Sequence, residues 1–173
     1  MNTYYTIEEK YLQAVEEATY RDSAKGLQLL KEIIEHDPLY ARAHFQLGKL
    51  YYYEIRNYQI AGFYFKTCME LEPAFPDNYF HYLSLVVFLN MEKQAGIVSE
   101  KALNTPGVDA SEIYDLLGLF AEKARDWNKA LKAYQNAFIE VTTKCNKEEI
   151  EESIDRVKVK MTRTAAYQYN LTG

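Results

Sequence analysis

The sequence predicts an all-helical protein built from four copies of a helix-pair repeat and a single terminal helix. The chain has 7 Gly and 4 Pro in 173 residues, so long stretches are free to be helical. Apolar residues recur at helical spacing along most of the chain. One pattern of small and apolar residues also returns at an almost constant interval, as in repeat proteins.

The repeating pattern is a small residue, an apolar residue four positions later, and a small or apolar residue three positions after that. The lead residues lie 35, 34 and 35 positions apart, at Gly26, Ala61, Ala95 and Ala130. A second set of small residues stands about twelve positions earlier, at Ala14, Gly48, Ser84 and Gly118. We expect small side chains at both sites to let the two helices of a pair approach closely.

These residues resemble the tetratricopeptide repeat, whose pattern is an aromatic, Leu-Gly, Tyr, Ala, an aromatic, Ala and a final Pro. The fourth copy matches best, with Tyr114, Leu117, Gly118, Trp127, Ala130, Tyr134 and Ala137. The second copy has His44, Leu47, Gly48, Tyr51, Ala61, Phe65 and Pro73. The first copy matches in its second half, through Gly26, Leu30 and Pro38, and the third is diverged, with Phe80, Leu83, Ser84, Ala95 and Pro106. The resemblance implies a right-handed superhelical array of about four antiparallel helix pairs.

Helix-start signals divide the chain in the same way. Capping residues are expected at Thr6 (with Glu9), Asp22, Asp37 (before Pro38), Asn57, Asp109 (with Glu112) and Asp126. They predict helices over 6–20, 23–36, 38–54, 58–71, 76–90, 92–104, 110–123 and 127–142. The corresponding repeats are 6–38, 39–73, 74–106 and 108–142, in an array over residues 1–145.

The last segment, 146–173, is predicted to be a capping helix and tail. Asn146 and Glu149 form a start signal that places Cys145 in the preceding turn, and apolar residues recur at Ile150, Ile154, Val157, Met161 and Ala165. One apolar stripe and one charged face suit a helix that covers the exposed end of a repeat array.

Composition narrows the functional classes. A formal charge of -5 and dispersed Lys and Arg residues argue against binding to nucleic acid. The sequence has no secretory signal at its start and no apolar run long enough to span a membrane. Two cysteines, Cys68 and Cys145, give neither a disulfide framework nor a metal-binding spacing. We therefore expect a cytoplasmic protein without a cofactor.

The sequence predicts that the protein is not an enzyme. His36, His44 and His81 fall on different predicted helices. The chain has no zinc-protease motif, phosphate-binding glycine loop or nucleophile elbow.

The resemblance implies that the first helix of each pair lines a concave groove, and that the groove binds a peptide or partner protein. The groove candidates are Tyr11, Arg42, Phe45, Lys49, Tyr52, Asn78, His81, Tyr82, Leu85, Asp115 and Leu119. Burial in helix packing is the alternative interpretation for each of them. Chaperone-binding members grip a terminal carboxylate with Lys, Arg and Asn residues, but only Lys49 supplies a cation at the matching positions. The alternative function is a self-assembling scaffold, for which Ala165–Tyr169 could dock on a second copy.

Overall fold

The computed structural model describes the backbone of residues 6–171 and the side chains of residues 6–164. This part of the chain contains nine α-helices and no strand, so the predicted all-α class is confirmed. The helices are α1 (Ile7–Glu16), α2 (Ser23–His36), α3 (Ala41–Lys49), α4 (Tyr58–Leu71), α5 (Asp77–Phe88), α6 (Glu92–Leu103), α7 (Ala110–Lys123), α8 (Trp127–Glu140) and α9 (Lys144–Leu171). Two of them continue as π-helical turns, α1 through Glu17–Arg21 and α3 through Leu50–Glu54. None of the described helices is both long and apolar enough to cross a membrane.

The chain divides into two compact units, the first ending at Leu85 and the second beginning at Val86, within α5. In the first unit α1 packs on α2 and α3 packs on α4. In the second unit α7 packs on α8, and α9 packs on α8. The predicted division into an array over 1–145 and a cap from 146 stays a prediction.

Most of the predicted helix starts are confirmed by side-chain caps. Thr6 and Glu9 form a reciprocal capping box, with hydrogen bonds of 2.8 and 3.2 Å to each other's backbone amides. The carboxylate or amide oxygens of Asp22, Asn57, Asp109 and Asp126 accept backbone N–H bonds at the starts of α2, α4, α7 and α8.

Two predicted helix starts are wrong. The α3 helix begins at Ala41, because the Asp37 carboxylate instead accepts the Leu39 amide at 3.1 Å and stabilises a turn. The α9 helix begins at Lys144, two residues before the predicted start, so Cys145 lies on the helix and not in the turn before it.

The second pair has one residue more between its small residues than the fourth, with 13 positions from Gly48 to Ala61 and 12 from Gly118 to Ala130. The extra residue lies in the π-helical turn Leu50–Glu54. The Ile55 amide there donates to the Leu50 carbonyl at 3.0 Å, which is the five-residue step of a π-helix. The next turn holds Arg56 in the left-handed region, with φ of 59°. Asn90 and Arg125, with φ of 56° and 58°, have that conformation in the third and fourth pairs.

The small residues make room for aromatic rings in the second and fourth pairs and for backbone in the first. A Cβ atom added to Gly48 would lie 2.6 Å from the Phe65 ring. A Cβ atom on Gly118 would lie 2.5 Å from Cε1 of Tyr134. In both pairs the glycine of the first helix therefore accepts a ring from the second helix, four residues after the lead alanine. In the first pair, Gly26 lies against the backbone of Ala18.

In the second unit, α9 packs through an apolar stripe and is also held by ion pairs. Ile150 and Val157 are buried in one cluster with Tyr134 and Ala137 of α8. The Glu122 carboxylate on α7 accepts two hydrogen bonds of 3.0 Å from the Arg156 guanidinium and one of 2.6 Å from Lys160 Nζ. The helix is therefore fastened to both α7 and α8.

Candidate functional site

The predicted groove residues fall into both units. All but Asp115 and Leu119 lie in the first unit, on α1, on α3 with its π-helical turn, and on the first part of α5. We call this surface of the first unit the first-helix face, and its members with accessible side chains are Arg42, Lys49, Tyr52, Tyr53 and His81.

Several predicted groove residues are buried and hold the helices together. Phe45, Tyr82 and Leu85 are 4%, 4% and 1% exposed. Asn78 is fully buried, and its side-chain amide donates to the Phe65 carbonyl at 3.0 Å. Tyr11 is buried against Tyr40, with ring centroids 5.4 Å apart. Their role in binding stays a prediction, but they support the face more than they form its surface.

An aromatic cluster lies beneath the first-helix face. Phe45 lies at its centre, with ring centroids 5.2 Å from Phe75, 5.5 Å from His81 and 6.5 Å from Phe65. Tyr52 packs edge-on against Phe65 at 6.4 Å. Because these rings come from α3, α4, α5 and the segment before α5, the cluster fixes the side chains above it.

His81 and Tyr53 are joined at the edge of this cluster. Tyr53 Oη lies 2.8 Å from His81 Nδ1, and the His81 ring stacks 6.4 Å from Phe65. Burial, assisted by the charge of Lys49 and opposed by that of Asp77, lowers the pKa of His81 to about 4. The imidazole is therefore neutral near pH 7.

Tyr53 is an accessible residue of the first-helix face, but it is missing from the predicted groove residues. Its side chain is 45% exposed although its hydroxyl is hydrogen-bonded. Tyr53 lies on the π-helical turn, and such a turn shifts the direction of every following side chain relative to an α-helix. In the sequence, Tyr53 stands beside Tyr52, and both can be interpreted either as groove residues or as part of a partly exposed helix face.

The face carries two cations that lie over aromatic rings. Lys49 Nζ is 5.3 Å from the Phe45 centroid, and Arg42 Cζ is 6.0 Å from the Phe75 centroid. Within the described residues, neither cation has a carboxylate oxygen within 4.0 Å. By contrast, Lys10 and Lys25 of the same unit pair with Glu32 and Glu17 at 2.6 and 2.5 Å.

The surroundings of the two cations differ in charge. Arg42 borders a cleft of about 420 Å³, whose lining includes Glu8, Asp37, Leu39, Tyr40 and Glu72. The Tyr40 hydroxyl donates to the Glu8 carboxylate at 2.5 Å, and burial together with this bond raises the Tyr40 pKa. The end of the face near Arg42 is therefore acidic. Lys49, two helical turns away, instead acts by its charge on neutral His81, which bonds the Tyr53 hydroxyl.

Of the two predicted residues of the second unit, Asp115 stands near α9. Leu119 is 38% exposed. Asp115 is half-buried, and burial raises its pKa while the charge of Arg156 on α9 opposes that shift. In this unit, α9 therefore lies close to the part of α7 that carries Asp115.

The cysteine and acidic side chains of the described residues do not form a common site. Cys68 is buried, which raises the pKa of its thiol to about 12, and Cys145 is exposed. No group of three or more His, Cys, Asp or Glu side chains in the described part of the chain could hold a metal ion.

Comparison with known proteins identifies the fold. No protein-family model matches the sequence, and no curated protein matches it. Solved structures of MamA, a protein of tetratricopeptide-repeat fold, do match. The chain therefore has a tetratricopeptide-type helical-repeat fold.

The MamA structures cover nearly the whole chain at low sequence identity. The structure described as MamA RS-1 ArsTM double mutant has a TM-score of 0.75 at 19% identity, covering 95% of this chain and 90% of that chain. MamA 41-end from Desulfovibrio magneticus RS-1 has a TM-score of 0.64 at 20% identity, covering 92% and 98%. A crystal structure of MamA protein gives 0.65 at 19% identity, covering 91% and 93%. At this identity the likeness establishes the fold and leaves function to the side chains.

Proposed function

We propose that this protein is a non-catalytic protein-interaction module that binds a segment of a partner polypeptide on the first-helix face. The observation that carries the proposal is the combination of accessible polar groups with a rigid aromatic base. Tyr53 remains accessible while a hydrogen bond to His81 holds its hydroxyl in place. Lys49 remains accessible while its ammonium group lies over the ring of Phe45. Groups that are ordered before binding lose little conformational entropy on binding.

The residue types on the face agree with this function. Tyrosine and arginine are enriched among the residues that dominate interface energies. Helical-repeat surfaces commonly bind extended or helical segments through such side chains. Three anchors could supply roughly 5–9 kcal/mol, against an association cost of about 4–15 kcal/mol. We therefore expect micromolar affinity for a short peptide.

The free cysteines support a reducing compartment. Cys68 and Cys145 are unpaired, which is typical of proteins kept reduced in a cytoplasm. We accordingly assign the interaction to the cytoplasm.

A photo-crosslinking experiment tests the proposed function. The photoreactive residue p-benzoylphenylalanine replaces Tyr53 on the face or, as a matched control, Phe63 on α4, since both are exposed aromatics at 45% and 62%. Each variant, checked for an unchanged melting temperature, is irradiated in cells of the source organism. We expect a specific adduct with another polypeptide from position 53 and not from position 63. The same adducts from both positions, or none from position 53, would contradict the proposal.

Self-assembly is the second candidate function, and the charge of α9 favours it. Five acidic side chains are exposed on the first half of that helix, at Glu148, Glu149, Glu151, Glu152 and Asp155, and could approach a cation of another copy. The Ala165–Tyr169 segment predicted to dock on a second copy lies outside the described side chains. An adduct of twice the protein mass, with a sedimentation mass that rises with concentration, would select self-assembly over partner binding.

A further inference from the structure

The first-helix face is electrically asymmetric along α3. Glu8, Asp37 and Glu72 line the cleft beside Arg42. At the other end, Lys49 has no carboxylate within 4.0 Å among the described residues. Arg42 and Lys49 are seven residues apart on one helix, so about 10 Å separates the two environments along its axis.

The surroundings of Lys49 suit a carboxylate from outside the chain. The ammonium group lies 5.3 Å from the Phe45 centroid, and this low-dielectric base strengthens any ion pair formed there. The charge of Lys49 acts at His81, which is neutral near pH 7 and bonds the Tyr53 hydroxyl. The charge of Asp77 acts at the same imidazole in the opposite direction.

Apolar contact area adjoins the same cation. Tyr52 and Tyr53 follow Lys49 by three and four residues, their rings are tilted by 44° with centroids 4.5 Å apart, and Tyr53 is 45% exposed. A bound segment can therefore place an apolar side chain on these rings while its acidic side chain reaches Lys49. The exposed Tyr53 ring is large and rigid, which favours such a contact.

We propose that Lys49 selects the partner segment, and that this segment carries an acidic side chain next to an apolar or aromatic one. The acidic side chain docks at Lys49 and is repelled from the Arg42 end of α3, where three carboxylates line the cleft. This polarity fixes the position of the segment on the face. The inference rests on the proposed function, because it names the chemistry of the partner that the first-helix face binds.

The test uses two blocked tripeptides at millimolar concentration, N-acetyl-Leu-Glu-Tyr-amide and its Gln counterpart, followed by NMR titration of the full chain. We expect saturating shifts at Lys49, Tyr53 and His81 with the Glu peptide, and affinity for the Gln peptide that is lower by about tenfold. Lys49→Met should abolish the preference for Glu. Arg42→Met, the matched control on the same helix with the same change in net charge, should keep or increase it.

Three results would overturn the inference. They are equal affinity for the Glu and Gln peptides, equal loss of binding in Arg42→Met and Lys49→Met, and no saturable binding of either peptide. A charge exchange gives a further check, since Lys49→Glu should prefer the peptide in which Lys replaces Glu.

Photo-crosslinking separates this inference from the proposed function. If the adduct from position 53 persists in Lys49→Met, the first-helix face binds a partner without selecting a carboxylate, and only the inference fails. If wild type itself gives no adduct, the proposed function fails. An adduct that instead joins position 53 to α9 of a second copy would show that the bound partner is another molecule of the same protein, and it would overturn the inference of a separate partner segment.

Discussion

Tyr53 Oη and His81 Nδ1 lie 2.8 Å apart, so a hydrogen bond links the end of the first helix in the second pair to the first helix of the third pair. Both residues belong to the first unit, and the His81 ring also stacks on Phe65 of α4. The imidazole is consequently held between helices in its neutral form, because burial lowers its pKa to about 4.

The low pKa of His81 predicts a loss of stability in mild acid. An unfolded imidazole, with a pKa of 6.5, gains a proton below that value, whereas folded His81 stays neutral down to about pH 4. Acidification from pH 6.5 to 4 therefore favours the unfolded state. Between pH 7 and 5, we expect the free energy of unfolding of wild type to fall by about 1–2 kcal/mol more than that of His81→Phe. Urea denaturation at the two pH values measures this difference, and parallel losses in both proteins would show that His81 is not responsible.

Gly118 and Gly96 should respond in opposite directions to alanine. A Cβ atom at Gly118 would lie 2.5 Å from the Tyr134 ring, whereas a Cβ atom at Gly96 on α6 has no neighbour within 4 Å. Gly118→Ala should therefore cost about 1–3 kcal/mol through overpacking. Gly96→Ala should stabilise by roughly 0.5–1 kcal/mol through helix propensity. Thermal or urea unfolding of both variants checks the signs, and a stabilised Gly118→Ala protein would refute the ring-in-glycine contact.

Glu122 should contribute a pH-dependent part of the stability of the second unit. The Arg156 guanidinium, together with Lys160 and Tyr134, holds the Glu122 pKa near 2, below its ordinary 4.5. Its stabilisation is complete above pH 4.5 and is lost as the pH falls toward 2. Glu122→Gln should cost about 2–3 kcal/mol at pH 7, and the difference from wild type should narrow by pH 3.

Asp155→Asn is the control for the Glu122 variant. Asp155 is exposed and pairs with Lys158 at 3.4 Å on the surface of α9, so its loss should change stability by less than about 0.5 kcal/mol. Chemical denaturation of the two variants at pH 7 and pH 3 makes the comparison. Equal effects of the two substitutions would mean that the Glu122 cluster is an ordinary surface ion pair.

Two valines on α9 test how this helix is attached. Val157 is fully buried in the cluster with Tyr134, whereas Val159 is 49% exposed two residues later. Val157→Ala should lower the free energy of unfolding by about 2 kcal/mol, and Val159→Ala should leave it almost unchanged. Similar losses from both substitutions would contradict the packing of the Ile150 and Val157 stripe on α8.

The helices were largely predictable because their determinants are local. Caps such as Asp22 and Asn57 act within three residues of themselves, so their sequence context is sufficient. Asp37 had two local partners available, and its side chain bonds the Leu39 amide in preference to opening a helix. That competition is decided by the packing of the surrounding chain.

The candidate site was less predictable than the helices. Helical register gives the direction of a side chain but not its depth, so Asn78 and Leu85 shared a predicted face with Lys49 although neighbouring rings and helices bury them. The accessible Tyr53 lies beyond the start of a π-helical turn, which changes the register itself. The spacing of 13 positions between Gly48 and Ala61 indicates one extra residue in this pair, but it does not show that this residue lies inside the helix.

The π-helical turn Leu50–Glu54 also explains how this repeat changes length. Gly48 and Ala61 are 13 positions apart, whereas Gly118 and Ala130, in a pair without such a turn, are 12 apart. Ala14 and Gly26 are also 12 apart although their pair has a π-helical turn, because no left-handed residue corresponding to Arg56 precedes α2 in the described part of the chain. The additional residue of the second pair is taken up inside the helix, before Arg56, and Gly48 and Gly118 both still receive an aromatic ring. An alignment of repeats that confines gaps to interhelical loops would therefore pair the wrong residues across this segment. Homologues that gain or lose one residue there can keep the same buried face, so evolution can lengthen the pair without redesigning its core.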